Sequence, residues 1–252
     1  MSGHSKWSTI KRKKGAADAK RGQLFTRLAR EIVIAVREGG GDPEANFRLR
    51  LAVDRARGLN MPKDNIDRAI KRGTGEDKDG VQIEQITYEG YGPHGIALMI
   101  DCLTENRNRT VSELRHALTR AGGSMGEVGS VSWQFDRIAY FGIEGEGVDF
   151  DKVFELALEG GANDITQDEE GYIEIFAPVE VFKTISDLLK NAKITLDEAE
   201  LRMIPKQELT LDTDKTIKVM RLIEDIEDLD DVQSVYSNLE VSEEALAAME
   251  EE

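Results

Sequence analysis

Gln85-Ile86-Thr87-Tyr88-Glu89-Gly90-Tyr91-Gly92-Pro93-His94-Gly95-Ile96-Ala97-Leu98-Met99-Ile100-Asp101-Cys102-Leu103 is the stretch at which this chain changes character. Short β-type runs, Gln85–Tyr88 and Ile96–Leu103, flank a Gly- and Pro-rich segment, which predicts a hairpin. Gly90, Gly92 and Gly95 have the spacing of a dinucleotide-binding fingerprint. That fingerprint must lead from a strand into a helix whose N-terminus holds a pyrophosphate, whereas here Pro93 interrupts it and a second apolar run follows. The segment is therefore expected to be a hairpin loop, with Tyr88 and Tyr91 as packing or contact residues and no cofactor. Cys102, the single cysteine, lies beside the apolar run and is expected to pack in a core; with no second cysteine there is no disulfide framework.

Upstream the period is helical. Residues 1 to 14 offer only Trp7 and Ile10 as apolar anchors and are expected to be a mobile arm that orders on a partner. From about Gly15 to Glu38, Leu24, Leu28, Ile32, Ala35 and Val36 fall on one stripe, and Lys20, Arg27, Arg30 and Arg37 on roughly the opposite side, a predicted outward basic ridge. Gly39-Gly40-Gly41 ends that helix. Asp42 is then expected to cap a second helix over about 43–57, with Pro43 in its first turn, Leu49, Val53 and Ala56 inward, and Arg48, Arg50, Arg55 and Arg57 on show. Pro62 opens a third helix, with Ile66, Ala69 and Ile70 inward and Lys63, Arg68, Lys71 and Arg72 outside, stopped by Gly73-Thr74-Gly75. Three short-linked helices make a small basic domain.

Downstream, Thr110–Arg120 reads as a helix with a Thr110/Glu113 capping-box spacing, and Ser130–Phe135 as a third strand. A second unit follows: strand near Ile138–Ile143, helix Phe150–Leu158, strand Tyr172–Phe176, helix Val179–Leu189, strand Leu201–Ile204. This alternation predicts an α+β sandwich. The remaining helix, Asp214–Glu227, and strand, Val232–Tyr236, supply what the first α+β unit lacks, so the second unit is expected as an insertion. Glu243–Glu252 reads as an acidic, poorly anchored tail.

Charge is sharply divided. Residues 1–75 hold 18 Lys+Arg and 8 Asp+Glu, net plus 10; the remainder holds 33 − 18 = 15 against 49 − 8 = 41, net minus 26. The front attracts polyanions and the rest repels them. Trp7 can stack on a base, and Lys6, Lys11, Arg12, Lys13, Lys14, Lys20 and Arg21 supply counter-charges, so nucleic acid is the expected partner. Arg107 and Arg109, beside a helix start whose partial charge is also positive, suggest a second phosphate patch; the alternative is pairing with acids such as Glu105. Catalysis finds no support: His4, His94 and His116 show no metal spacing with Cys102, and no nucleophile elbow occurs. No catalytic, cofactor or metal residue is assigned. No apolar run is long enough to span a bilayer, and an acid-poor front that reads as a transit peptide is interrupted by Asp18 and Glu31. A cytoplasmic location follows as an expectation.

Several ordered motifs carry a resemblance: Gly3-His4-Ser5-Lys6-Trp7, Asp18-Ala19-Lys20-Arg21-Gly22, Gly39-Gly40-Gly41-Asp42-Pro43-Glu44-Ala45-Asn46, Asn60-Met61-Pro62-Lys63-Asp64-Asn65-Ile66, Tyr88-Glu89-Gly90-Tyr91-Gly92-Pro93 and Asn106-Arg107-Asn108-Arg109-Thr110. Together they closely resemble the YebC family over most of the chain. The resemblance implies an α+β protein of three domains, an N-terminal three-helix domain followed by two α/β sandwich domains with the third inserted in the second. On this chain the division is 1–78 for the helical domain and arm, 79–136 plus 206–240, an inserted 137–205, and a 241–252 tail. The family label is DNA-binding transcriptional regulator; its mitochondrial relatives are translational activators, and some bacterial members are regarded as ribosome-associated factors that ease synthesis through proline runs. DNA and ribosomal RNA both stand as partners, and a protein-interaction module is the rival of another class. The chain departs from the family pattern at His94, where glycine is expected, and at Phe47, where proline is.

Overall fold

The computed structural model describes residues 18–75, 83–145 and 147–250. Three helices come first and two sheet-containing domains follow. Phe135–Lys206 is a compact unit of its own, and the chain on either side of it forms the other.

The helices are α1 (Asp18–Gly39), α2 (Phe47–Gly58) and α3 (Lys63–Gly73). Leu28, Ile32, Val33 and Val36 of α1 meet Leu49 and Ile66 in their common core. Burying each such side chain contributes about 1.5–3 kcal/mol, more than helix propensity supplies to helices this short. Gly40, at φ +86, closes α1 by donating its N–H to Val36 O. The next cap differs from expectation. Asp42 does not start α2; residues 42–46 form a turn, and Asn46 is the N-cap. Its Oδ1 accepts from Leu49 N, while its Nδ2 donates to Ala35 O and Gly40 O, so one buried amide satisfies the end of α1 and the beginning of α2. Phe47 takes the first helical position, which suits proline because its N–H has no helical partner, and the Arg50 guanidinium lies 5.6 Å from its ring. Gly73 does more than stop α3: a Cβ there would come within 2.5 Å of Val36 Cβ, so it allows α1 and α3 to approach.

The first sheet has the order β3-β1-β2-β8, from β1 (Glu84–Tyr91), β2 (Ala97–Thr104), β3 (Ser124–Met125) and β8 (Val232–Ser237). β1 and β2 are the antiparallel hairpin, with Tyr88 opposite Ile100. In their connection Pro93–Gly95 is one tight turn, and His94 adopts φ 63, ψ 16, the left-handed region that glycine enters without steric cost. The helices α4 (Arg107–Arg120), α7 (Thr213–Glu227) and α8 (Glu243–Glu250) share one core with the sheet, centred on Leu98, Ile100, Leu114, Leu118, Val219 and Ile223. Cys102 is fully buried in it, and burial pushes its thiol well above the ordinary range.

Three expectations are corrected here. Ser130–Phe135 is not a strand: Ser132–Gln134 is a 3-10 turn, and the amides of Gly129, Val131 and Ser132 donate to the Glu89 carboxylate instead of to a ladder. The helix α4 begins at Arg107 with Asn106 as its cap, so Thr110 lies inside it and forms no capping box. Residues 243–250 are anchored, since Ala245, Leu246 and Met249 form a short apolar stripe buried in the core.

The other unit runs β4 (Phe135–Ile143), α5 (Phe150–Glu159), β5 (Asp164–Gln167), β6 (Ile173–Ala177), α6 (Phe182–Asn191) and β7 (Glu198–Pro205). Its order β5-β6-β4-β7 with antiparallel neighbours is that of a split β-α-β-β-α-β unit. The strand β5 is absent from the sequence reading because Asp164–Gln167 is short and mostly polar. Phe141, Ile173, Ile175, Ile185 and Leu189 fill the space between sheet and helices. On the opposite face Arg202 lies 3.5 Å from the Tyr140 ring centroid and donates to Glu198 and Glu200, while Tyr140 donates to Glu174.

Candidate nucleic-acid interface

The basic residues of the helical domain split into two sets. Arg27, Arg30 and Arg37 do not form an outward ridge. Arg27 donates to Glu227 O and Leu229 O, Arg30 to Asp230 O, and Arg37 to Ile83 O. The first two reach the C-terminal end of α7, whose last carbonyls lack helical partners and carry partial negative charge. The physical reason the ridge fails is that the first sheet domain covers the side of α1 that amphipathic spacing alone assigns to solvent. On α2 and α3, by contrast, Arg57, Lys63, Arg68 and Lys71 are exposed. Between α1 and α3 a groove of about 850 Å³ has Phe25, Ala29, Val33 and Met61 along its floor and Arg68 and Lys71 at its rim.

Asp231 is the point on which the inward set converges. It is fully buried. Arg109 Nη2 lies 2.8 Å from both of its carboxylate oxygens, Arg30 Nη1 3.2 Å from Oδ1, and the hydroxyls of Thr104 and Thr110 3.0 and 2.8 Å from Oδ2. Burial by itself would raise this carboxyl; the hydrogen bonds from Arg109, Thr110 and Thr104 and the charge of Arg30 outweigh it and hold the group below the usual carboxylate range. Reciprocally, that hydrogen bond and charge push Arg109 up.

Arg107, two residues earlier, points elsewhere. It lines a cleft of about 460 Å³ with Tyr88, Asn108, Val111, Ser112 and Arg115. Positions 108, 111/112 and 115 recur at helical spacing, so one face of α4 forms the wall and Tyr88 of β1 the other side. Arg107 also makes an exposed ion pair with Glu84, Nε to Oε2 3.4 Å. Glu105 pairs with neither Arg107 nor Arg109; it holds Arg72. The suggested Arg107/Arg109 pair is thus divided: Arg109 is committed to Asp231, and Arg107 faces solvent. Sequence reasoning misses Arg115, although its place two turns beyond Arg107 is a readable signal.

Lys6, Trp7, Lys11, Arg12, Lys13 and Lys14 lie outside the described residues, and Lys20 and Arg21 enter as backbone of α1 alone. Among the described residues no group of three or more His, Cys, Asp or Glu could hold a metal ion, and no helix is long and apolar enough to cross a membrane.

A basic helical domain latched to a sheet domain that carries a second, split β-α-β-β-α-β unit defines a three-domain class of protein. Residues 5–76 match the family described as TACO1/YebC protein N-terminal domain, and residues 83–239 the TACO1/YebC second and third domain. The chain belongs to the TACO1/YebC family. It is 51% identical over 251 residues to a "Probable transcriptional regulatory protein" of Chlorobium chlorochromatii, covering 100% of both chains. It is 50% identical to "Probable transcriptional regulatory protein GSU1074" of Geobacter sulfurreducens, covering 98% of each. Among solved structures, the crystal structure of the conserved hypothetical protein Aq1575 from Aquifex aeolicus matches with a TM-score of 0.82 at 40% identity, over 90% of this chain and 93% of that one.

Proposed function

We propose that this chain is a non-enzymatic, nucleic-acid-binding regulator of gene expression acting in the cytoplasm, and that its basic N-terminal region, including Lys6, Trp7, Lys11–Lys14, Lys20 and Arg21, grips the nucleic acid backbone. The observation that carries this reading is the division of the arginines: those needed to hold the domains are turned inward, yet Arg57, Lys63, Arg68 and Lys71 still face out from a region of net charge plus 10. Arg57 pairs with Asp54 only at the surface and Arg68 bonds only within its own helix, so among the described residues none of the four is tied to the sheet domain. The names carried by relatives of the same length agree with a regulatory role.

These outward side chains are cations suited to phosphates, and phosphate contacts position a protein without specifying sequence. Weak sequence preference and steep salt dependence follow. The same feature favours a second reading, structured RNA such as ribosomal RNA, because contacts to phosphates alone suit the irregular backbone of a folded RNA at least as well as a regular duplex. Polysome fractionation alongside genome-wide DNA crosslinking separates the two: a chain that sediments with ribosomes at low salt and leaves at high salt acts on RNA, and one crosslinked to the chromosome acts on DNA. Recovery of neither polymer, with a basic protein partner bound to the acidic domains instead, overturns the proposal.

A further inference from the structure

We infer that the cleft between Tyr88 and α4 is a binding site for one unpaired nucleotide, with the base against Tyr88 and Val111 and the adjoining phosphates on Arg107 and Arg115. This rests on the nucleic-acid reading and adds to it a specific subsite remote in sequence from the basic arm.

The cleft, at about 460 Å³, falls within the range of about 300–1,000 Å³ in which small-molecule sites are found. Its lining has the composition such a ligand requires. Tyr88 offers an aromatic surface, and because part of its ring packs against the sheet-domain core its position is fixed. Every base has a π-face, so stacking is tolerant of sequence. Val111 adds an apolar patch, while Asn108 and Ser112 bring hydrogen-bonding groups within reach of a base edge. Arg107 and Arg115 lie on the wall, both strongly exposed. Arg115 has no acidic partner within ion-pair distance among the described residues, and the exposed Arg107–Glu84 pair at 3.4 Å is of the kind worth little, so a phosphate replaces it readily. Lying in the first turn of α4, Arg107 also sits where helix N–H groups favour an anion.

Duplex nucleic acid cannot place a stacked, paired base in such a cleft; a loop, bulge or single strand can. RNA and DNA share that chemistry, and the test separates them. Full-length protein is titrated by fluorescence anisotropy with a 12-nucleotide single strand of RNA, the same sequence in DNA, and the corresponding duplexes. Tyr88→Ala is expected to weaken single-strand binding by about tenfold, and Tyr88→Phe by less than about twofold, with little change for either duplex. Arg107→Ala/Arg115→Ala is expected to lower the single-strand salt slope by about 0.7 for each phosphate no longer neutralised. Preference between the two single strands tells whether a 2′-hydroxyl is also read.

Because Tyr88 touches the core, the surface variant Arg115→Glu provides a check that leaves the fold intact; it should weaken single-strand binding at least as much as Arg115→Ala. If Tyr88→Ala and Arg115→Glu bind every probe like the parent while Lys11–Lys14→Ala binds weakly, the cleft assignment is overturned and the nucleic-acid reading survives. Equal losses on single strand and duplex also overturn it. If the parent and all variants bind none of the probes at low salt, the broader reading fails as well.

Discussion

Arg107 and Arg109 share a turn of one helix, yet the acids they meet differ in what sets the worth of a charge, burial and the number of groups committed to them. Around Asp231 arginines from α1 and α4 meet a fully buried carboxylate whose remaining lone pairs are taken by two threonines. Around Tyr88 the arginines flank an open cleft, and among the described residues the acid paired with them, Glu84, is exposed. Within the first region charge holds the helical and sheet domains together; in the second it lies at the surface, where the proposed ligand would meet it. Residue type does not distinguish the two roles; burial and the presence of a committed acid do.

Asp231→Ala attacks the first region most directly. It leaves Arg30 and Arg109 without their shared partner, and the expected loss is about 3–5 kcal/mol, read from urea unfolding; a loss below about 1 kcal/mol would mean the cluster is not a latch. The same group predicts a pH dependence. Its folded pKa is lowered, so its stabilisation is complete above the unfolded value of about 3.9 and disappears as pH falls through the lower folded value. The urea midpoint should therefore fall below pH 4, and Asp231→Ala should flatten that part of the profile.

Arg109→Ala should cost less, about 1–2 kcal/mol, since its half-exposed side chain feels solvent and Arg30 still faces the carboxylate. Glu89→Gln removes an ionised acceptor from three loop amides and should cost about 1 kcal/mol while freeing the 129–132 loop to exchange its amide protons faster. At the small end, Arg107→Ala should alter stability by no more than about 0.5 kcal/mol. A large destabilisation by Arg107→Ala, or none by Arg109→Ala, would collapse the contrast between the two regions.

Much of this architecture is legible because it is written in local period: the stripe of α1, the Gly-rich break after it, the β1–β2 hairpin, and the late helix and strand that complete the first sheet. What escapes depends on partners far along the chain. Arg27 and Arg30 lie opposite an apolar stripe and so read as solvent-facing, while the carbonyls that hold them are some 200 residues away. Asn46 escapes as a cap because Asp42-Pro43 is the stronger local signal; its double role requires α1 and α2 to be already packed. At the candidate site, charge alone finds Arg107 and Arg109 without telling their surroundings apart. Separating them requires the position of Asp231, a residue no spacing rule connects to α4.

The proposed function requires that the basic surplus of the helical region serve a polyanion and not the fold. The most direct test is the salt dependence of nucleic-acid affinity for the parent and Lys11–Lys14→Ala, measured on full-length protein alongside urea unfolding. The expected result is unchanged unfolding, weaker binding at low salt, and a slope of log affinity against log salt reduced by up to about one unit for each phosphate that the arm no longer neutralises. Unchanged affinity and slope would contradict it.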